Sequence, residues 1–275
     1  MRRLLSGSNA DEPELPTPAV LRNILTDLGP VYIKLGQLLS TRPDLLPADY
    51  ITALSALQSN VPPEDAAEME GFIRQNLPAP PDELFTEISY VPVAAGSIAQ
   101  THKAVLRDGR SVALKVQRPR LESVVAQDIE IIKYVAKLIS GTSFGQRYNI
   151  VDLADGFSRA LQAELDFTKE AQYTERLRAN LATSKWFDPN QLVVPGIHWD
   201  LTSKKMLVMD WLEGKPILTA EFLGNGYDGD TMAERKAIST LLFRAFFQQY
   251  LIEGFFHADP HPGNVFYLND GRVAL

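Results

Sequence analysis

The N-terminal quarter of the chain carries an amphipathic helical pattern. Between positions 20 and 39, apolar residues recur at three- and four-residue spacing, the period of a helix with one buried face. Gly29-Pro30 interrupts the pattern, because proline lacks the amide donor that a helix interior needs. We therefore predict helices over about 19–28, 30–40, 48–58 and 64–76.

The periodicity changes to that of strands at about residue 87, after prolines at positions 78, 80 and 81. Loose alternation predicts strands over 88–93 and 97–106, with the alanine-rich stretch 94–99 at the tip between them. Arg107-Asp108-Gly109-Arg110 has the composition of a hairpin turn, and the apolar run 111–117 predicts the next strand.

The remaining chain mixes both periods, which predicts an α+β fold. The expected elements are a helix over 121–140, a linker over 141–149, a long helix over 152–179, strands over 192–195 and 205–214, and helices over 220–224 and 233–253. The expected organisation is a flexible leader (1–18), a helical extension (19–80), a strand-rich segment with inserted helices (81–213) and a C-terminal segment (214–275).

Composition narrows the class of protein. The net charge of -7 argues against a nucleic-acid-binding protein, which usually shows a basic face. There are no cysteines, which excludes disulfides and thiolate metal sites. No run approaches the roughly 20 apolar residues that span a bilayer. We expect an intracellular protein, cytoplasmic or peripherally attached to a membrane.

The segment from Phe256 to Val265 has the pattern of a phosphoryl-transfer loop. Asp259 and Asn264 lie five positions apart, and His257 precedes the aspartate by two. In such loops the carboxylate orients a nucleophile and the amide oxygen helps to hold a divalent metal on a nucleotide. The predicted catalytic residue is Asp259, and the predicted Mg²⁺ ligand is Asn264.

Two earlier segments have the chemistry of a phosphate site. The small residues Ala94, Ala95, Gly96 and Ser97 let backbone amides approach an anion. Lys115 lies within an apolar strand, where an ammonium needs a charged partner or ligand. We predict that it contacts nucleotide phosphates. The sequence leaves open whether Glu164 or Glu170 is the carboxylate partner of Lys115.

Two further segments allow more than one interpretation. The strand 205–214 ends in a glycine-terminated connection, where the backbone of Asp210 and Leu212 is predicted to hydrogen-bond adenine. Lys34 and Gln37 lie three apart on a helix and share one face, with Gly36 between them to allow close approach of another backbone. From spacing alone, that face fits a solvated surface as well as a functional one.

Taken together, these motifs resemble the ABC1/ADCK/UbiB family of atypical protein-kinase-like proteins. The segments that carry the resemblance are Lys34-x-Gly36-Gln37, the alanine-rich loop, Lys115, Glu164-x-Asp166 and the loop from His257 to Asn264. The resemblance implies a two-lobe kinase-like fold with an N-terminal extension, binding of ATP or ADP with Mg²⁺, and bacterial or plastid-type members tied to ubiquinone or other prenyl-lipid metabolism.

The resemblance also implies roles for the open segments. The helix with Lys34 and Gln37 is expected to interact with the Glu164–Asp166 region and to gate the nucleotide site. ATP hydrolysis or lipid-directed phosphoryl transfer is then favoured over protein phosphorylation. The expected partners are a nucleotide and lipid or quinone-biosynthesis proteins, with peripheral membrane association.

The sequence departs from the kinase pattern at the second metal-binding aspartate. A second metal-binding aspartate should follow Asn264 by about a dozen residues, but the sequence given ends at Leu275, and Asp270 lies too early, in an Asn-Asp-Gly turn. We expect a fragment with an incomplete C-terminal lobe and little catalysis of its own. The alternatives are an aminoglycoside- or choline-type phosphotransferase and a non-catalytic nucleotide-sensing scaffold.

Overall fold

The computed structural model describes residues 16–57, 62–224, 226–257 and 261–275. The chain divides into two compact units. Unit 1 comprises Met1–Asn76, Ser89–His102 and Lys115–Asp166, and unit 2 comprises Leu77–Ile88, Lys103–Leu114 and Phe167–Leu275. Helices and strands both contribute, which confirms the predicted α+β class.

The N-terminal part of unit 1 is helical, as predicted. It contains α1 (Pro18–Leu28), α2 (Pro30–Ser40), α3 (Ala48–Ser55) and α4 (Ala66–Asn76). Gly29 has φ 102°, a conformation that favours glycine, and Pro30 occupies the first turn of α2, where no amide donor is lost. The break between α1 and α2 therefore follows from this dipeptide.

Helix α2 buries two faces. One packs in a cluster with the other early helices, formed by Leu25, Ile33, Leu54 and Leu57. The other packs in a cluster with α6 (Leu121–Ile139) and α8 (Ile150–Glu164), formed by Val31, Leu121, Val125, Ile129, Phe157 and Leu161. The short helix α7 (Ser143–Arg147) lies within the predicted linker 141–149, and the Thr142 hydroxyl caps it.

The first sheet contains β1 (Phe85–Ile88), β2 (Ala94–Ala95), β3 (Ala99–Leu106), β4 (Ser111–Gln117) and β6 (Met206–Asp210), after the short helix α5 (Pro81–Leu84). The strand order is β1-β3-β4-β6, and β2 pairs with β3. Strand β3 lies in unit 1 up to His102 and in unit 2 beyond it, whereas β4 lies in unit 2 up to Leu114 and in unit 1 from Lys115.

The strand predicted over 88–93 is wrong. Strand β1 ends at Ile88 and pairs with the far end of β3, whereas Ala94 and Ala95 pair with Thr101 and Gln100. Pro92 lies in the gap between them and has no amide hydrogen for a sheet ladder.

Unit 2 contains α9 (Phe167–Ala182), β5 (Leu192–Val193), β7 (Gly214–Pro216), α10 (Thr231–Gln248), β8 (Phe266–Leu268) and β9 (Val273–Ala274). The second sheet has the order β5-β9-β8-β7, with β5 and β9 parallel. Its core is formed by Leu177, Leu181, Leu192, Val194, Ile238, Leu241, Ala245, Val265, Tyr267 and Val273.

Two predicted helices are wrong. The long helix 152–179 is divided between α8 and α9, because the Gln117 side chain donates to the Leu165 carbonyl and the Phe167 amide donates to the Lys204 carbonyl. The segment 220–224 is not helical: Gly224 has φ 71°, and its amide donates to Glu234 Oε2 at 2.7 Å. Long-range hydrogen bonds override the helical pattern at both places.

In the part of the chain that the structure describes, no helix has the length and apolar character that crossing a membrane requires.

Candidate functional site

Helix α2 presents Lys34, Gly36 and Gln37 within unit 1. The Gln37 side chain donates to the Leu57 carbonyl at 2.9 Å, which fastens α2 to the end of the α3 segment. A Cβ on Gly36 would lie 2.3 Å from Leu57 Cδ1 and 2.9 Å from Leu25 Cδ1. Glycine is therefore needed for close packing, although side chains approach here where a backbone was expected.

Lys34 forms an ion pair with Glu164. Lys34 Nζ lies 2.8 Å from Glu164 Oε2, and both side chains are partly exposed. Glu164 is the last residue of α8, where the helix dipole disfavours a carboxylate, so the ammonium compensates for an unfavourable position. These contacts give the Lys34–Gln37 face partners within unit 1, while Lys34 and Glu164 stay partly exposed to solvent.

The end of α8 is held by a residue that sequence reasoning missed. Gln117, at the end of β4, is buried and donates to the Leu165 carbonyl. Asp166 follows, with its amide donating to the Ala163 carbonyl at 3.3 Å. A glutamine at the end of an apolar strand is the signal that was available, since a buried amide group requires partners.

A groove of about 520 Å³ lies beside the Lys34–Glu164 pair. Lys34, Gln37 and Leu38 of α2 line one side, and α8 contributes the other. The α8 residues that line it are Asp152, Leu153, Gly156, Phe157, Ala160, Leu161 and Glu164. The groove is therefore largely apolar, with charged groups at its margin.

The alanine-rich segment forms a hairpin, as predicted. Ala94 and Ala95 lie in β2, and the Gly96 amide donates to the Ala99 carbonyl at 2.8 Å. Ser97, at the tip, is 2% exposed. The hairpin tip is thus ordered by its own backbone bond. Arg118, which sequence reasoning did not single out, also contacts Gly96, through the Gly96 carbonyl.

Lys115 lies in the middle of an apolar strand, as predicted. It is half-buried on β4, whereas Leu114 and Val116 beside it are fully buried. Its pairing with Glu164 or Glu170 stays a prediction. Glu164 itself lies against Lys34, so any contact with Lys115 has to share that carboxylate.

At the end of β6, both the carboxylate and the backbone amide of Asp210 are hydrogen-bonded within the protein. Asp210 accepts from the Gly196 amide at 2.9 Å and lies 3.0 Å from His198 Nε2. Its own amide donates to the Gly196 carbonyl, and the Trp211 amide donates to the Ser111 carbonyl. The carboxylate of Asp210 therefore has a structural role, and a role in adenine binding would fall to backbone groups.

The backbone of Leu212 is different. Across residues 16–57, 62–224, 226–257 and 261–275, no group donates to its carbonyl or accepts from its amide. The residue is only partly exposed. The neighbouring Glu213 accepts from Lys103 and from the Trp211 indole, both at 2.7 Å, and the Lys103 contact holds the pKa of its carboxyl below the ordinary value.

The predicted catalytic aspartate lies outside the described residues. Asp259 and its neighbours at 258 and 260 are not described, so the geometry of this carboxylate stays a prediction. On one side, the His257 amide donates to buried Gln249 at 2.8 Å. Gln249 belongs to a π-helical turn that follows α10, Gln249–Glu253.

On the other side of the gap, a 3₁₀ turn, Pro262–Asn264, presents Asn264. His261 Nδ1 accepts from the Gly263 amide at 3.0 Å, and the His261 carbonyl accepts from the Asn264 amide at 2.8 Å. Asn264 is exposed at the start of the second sheet's β8 segment. His261 thus braces the turn that carries the predicted metal ligand.

Asp270 is a turn residue, as expected. It pairs with Arg272 at 2.6 Å, and Gly271 beside it has φ 86°. The hydrogen bond from Arg272 holds the pKa of the Asp270 carboxyl below its ordinary value. The carboxylate is committed to the hairpin between β8 and β9.

A protein-family model matches most of this chain. The model of the ABC1 atypical kinase-like domain matches residues 56–275. An uncharacterized protein of Synechocystis sp. is 57% identical over 275 residues, which cover all of this chain and 67% of the relative.

More distant relatives carry kinase names. A probable protein kinase UbiB of Cellvibrio japonicus is 38% identical over 257 residues, covering 93% of this chain and 45% of the relative. The chloroplastic protein ACTIVITY OF BC1 COMPLEX KINASE 3 of Arabidopsis thaliana is 39% identical over 256 residues, covering 93% of this chain and 35% of the relative. The chain thus spans less than half the length of these two proteins.

A solved structure is similar as well. A Mycobacterium tuberculosis protein, solved in complex with erythromycin, aligns with a TM-score of 0.61 and 29% identity. The alignment covers 92% of this chain and 61% of that protein.

Proposed function

Since the chain belongs to the ABC1 atypical kinase-like family, we propose that it binds ATP or ADP with Mg²⁺ as part of an atypical kinase or ATPase. The further proposal is that this activity supports ubiquinone or other prenyl-lipid metabolism, as the names of its UbiB relatives suggest. The observation that carries nucleotide binding is the uncommitted backbone of Leu212.

The backbone after β6 fits an adenine ring. Asp210 and Trp211 use their amides in bonds to the Gly196 and Ser111 carbonyls, whereas Leu212 keeps both an amide and a carbonyl available. A backbone donor and acceptor that have no protein partner can bond to a ligand in place of water. A donor and an acceptor on one residue match the alternating edge of a purine.

We assign binding of the nucleotide's phosphate groups to the alanine-rich hairpin and Lys115. The tip around Gly96 has small side chains, which lets an anion approach the backbone. Because the Gly96 amide donates to the Ala99 carbonyl, we assign the contact with the phosphates to the Ser97 amide. Lys115 provides a positive charge on a strand whose neighbouring side chains are buried. Because ammonium acts as a point charge, it tolerates both the diphosphate and the triphosphate.

We assign Mg²⁺ binding to Asn264 and proton transfer to Asp259. Mg²⁺, when bound, neutralises charge on the transferred phosphoryl group. The amide oxygen of Asn264 is a suitable hard ligand, on a turn that His261 braces. Asp259 would orient or deprotonate the attacking water or hydroxyl, an effect worth roughly 10²–10⁴ in rate.

Thermal unfolding with nucleotide tests the proposal. At a ligand concentration of about 100 times Kd, binding adds roughly 2.7 kcal/mol, which raises Tm by several degrees for a chain of this size. We expect this shift with Mg-ADP or Mg-ATP and its loss in Lys115→Met. Lys133→Met is the matched control, since Lys133 forms a half-exposed surface pair with Asp155. A folded wild type with no shift under either nucleotide refutes nucleotide binding.

The link to prenyl lipids draws support from the groove in unit 1. Its walls are apolar, from Leu38, Leu153, Phe157 and Leu161, and the Lys34–Glu164 pair lies at its margin. Such a lining suits an isoprenoid tail, while the charged rim suits a polar head group. Quenching of a fluorescent prenyl analogue should saturate with wild type and weaken in Ala160→Trp, which fills the groove. Saturation unaffected by that substitution argues against this site.

Peripheral membrane association is part of the same proposal. Helix α1 exposes Val20, Ile24 and Leu28, which lie on one face at four-residue spacing. The Arabidopsis relative is named chloroplastic, which agrees with a plastid-type localisation. Sedimentation with anionic vesicles should fall in Ile24→Asp, and sedimentation that is unchanged by this substitution contradicts the assignment.

A further inference from the structure

Arg118 is a buried cation whose bonds converge on two separate segments of unit 1. Its side chain is 8% exposed. Nη1 donates to Glu64 Oε1 at 2.6 Å, Nη2 donates to the Pro62 carbonyl at 2.9 Å, and Nε donates to the Gly96 carbonyl at 3.0 Å. One guanidinium thus joins the residues just before α4 to the alanine-rich hairpin.

The backbone of Arg118 holds the same hairpin from a second point. Its amide donates to the Ile98 carbonyl at 3.0 Å. The carbonyls on either side of Ser97 are therefore both fixed by this one residue. Because a peptide group is planar, fixing the Gly96 carbonyl also fixes the direction of the Ser97 amide hydrogen.

The segment at Pro62–Glu64 is itself anchored. The Glu64 amide donates to the Gln100 side-chain oxygen at 2.7 Å, and Gln100 is buried on β3. The guanidinium group therefore links two segments that other hydrogen bonds also hold in place. Arginine suits this task, because its planar fork presents several donors in fixed directions, whereas lysine presents a single flexible ammonium.

We propose that Arg118 is a positioning residue for the phosphate-binding hairpin. By fixing the Gly96 carbonyl, it sets the orientation of the amides around Ser97 that meet the phosphates of a nucleoside di- or triphosphate. It also makes phosphate affinity depend on the attachment of Pro62–Glu64. This inference rests on the proposed function, since it assigns the hairpin to phosphate binding.

The test compares Arg118→Lys with Arg120→Lys by calorimetric titration of Mg-ADP and adenosine. Arg118→Lys keeps the charge but cannot reproduce the fork. Arg120 is two residues away and pairs with Glu68 on the exposed surface at 2.7 Å, which makes it a matched control. We expect Arg118→Lys to weaken Mg-ADP binding roughly tenfold or more, with adenosine affinity unchanged.

A general loss of structure has a different signature from lost positioning. It lowers the affinity for adenosine and for Mg-ADP alike, and that outcome overturns the proposal, as does unchanged Mg-ADP affinity. Glu64→Gln keeps an acceptor for Arg118, so we expect it to retain most of the affinity. Wild-type affinity in Arg118→Lys together with a loss in Glu64→Gln would show that charge alone matters, and it would overturn the proposal.

Amide hydrogen exchange separates this inference from the proposed function. If wild type binds neither ligand, nucleotide binding fails, and the exchange of residues 96–99 decides the role of Arg118 by itself. Arg118→Lys should speed exchange there and leave α6 unchanged. Exchange that stays at the wild-type rate in the hairpin refutes the positioning role.

Discussion

Among the ion pairs that join early residues of unit 1 to later ones, Arg118–Glu64 and Lys34–Glu164 differ in burial and in geometry. Arg118 is 8% exposed and donates to Glu64, to the Pro62 carbonyl and to the Gly96 carbonyl. Lys34 is 27% exposed and forms one ion pair, with a Glu164 side chain that is 43% exposed. Both connect a segment before residue 77 to a motif that the proposed function uses.

The difference suggests different tasks. Removing one partner of a buried, multiply bonded pair leaves desolvated groups without partners, so such a contact breaks at high cost and keeps one geometry. A half-exposed ammonium–carboxylate pair is screened by water and salt and breaks at low cost. Arg118 therefore suits a permanent attachment, and Lys34 suits a gate that opens and closes.

Substituting Arg118 by alanine should have the largest effect. The change leaves the Gly96 and Pro62 carbonyls without a donor, and we expect a loss of about 3 kcal/mol in the free energy of unfolding. Urea denaturation measures it. Arg120→Ala should stay within about 0.5 kcal/mol of wild type, because its pair with Glu68 is exposed. Equal effects in the two variants would remove the distinction between buried and exposed pairs.

Gly36→Val tests the apolar packing of helix α2 against Leu57 and Leu25. The new side chain would overlap Leu57 and Leu25, and overpacking of this kind costs about 1–3 kcal/mol. Chemical denaturation should show this loss. The double variant Gly36→Val with Leu57→Ala should recover part of it, since the second change opens space. Strictly additive losses would indicate that Leu57 is not the obstacle.

Lys34→Ala should have the smallest effect on stability. We expect a loss of about 0.5 kcal/mol at low salt, which disappears in 1 M salt because the pair is partly exposed. Glu164→Gln should behave in the same way, and the double variant should cost no more than either single one. A loss that persists at high salt would place Lys34 with Arg118 as a permanent attachment.

Much of the fold follows from local pattern. The bounds of α2 and β4 agree with the predicted 30–40 and 111–117, because amphipathic spacing, Gly29-Pro30 and the turn at Arg107–Arg110 are local signals. The break between α8 and α9 was not predictable in this way. Leu165 and Phe167 leave the helical ladder for partners at Gln117 and Lys204, which are far away in sequence.

Some residues of the candidate site were also predictable from local sequence, and others were not. Lys34, the alanine-rich hairpin and Asn264 were identified from residue type and spacing. Arg118 was not, since an arginine before a proline at a strand end gives no local indication that it is buried. The uncommitted amide of Leu212 has no side-chain signature at all, because backbone hydrogen bonding is independent of residue type.

By itself, the sequence determined the order of the motifs, the α+β class and the resemblance to ABC1 kinase-like proteins. Residue types and short spacings carry that information. Only the tertiary structure decided that Glu164 pairs with Lys34, that Arg118 holds Gly96, and that the Asp210 carboxylate serves Gly196 and His198. The reason is that many charged residues are equivalent in a local pattern, and their partners are selected by burial and proximity, which folding alone establishes.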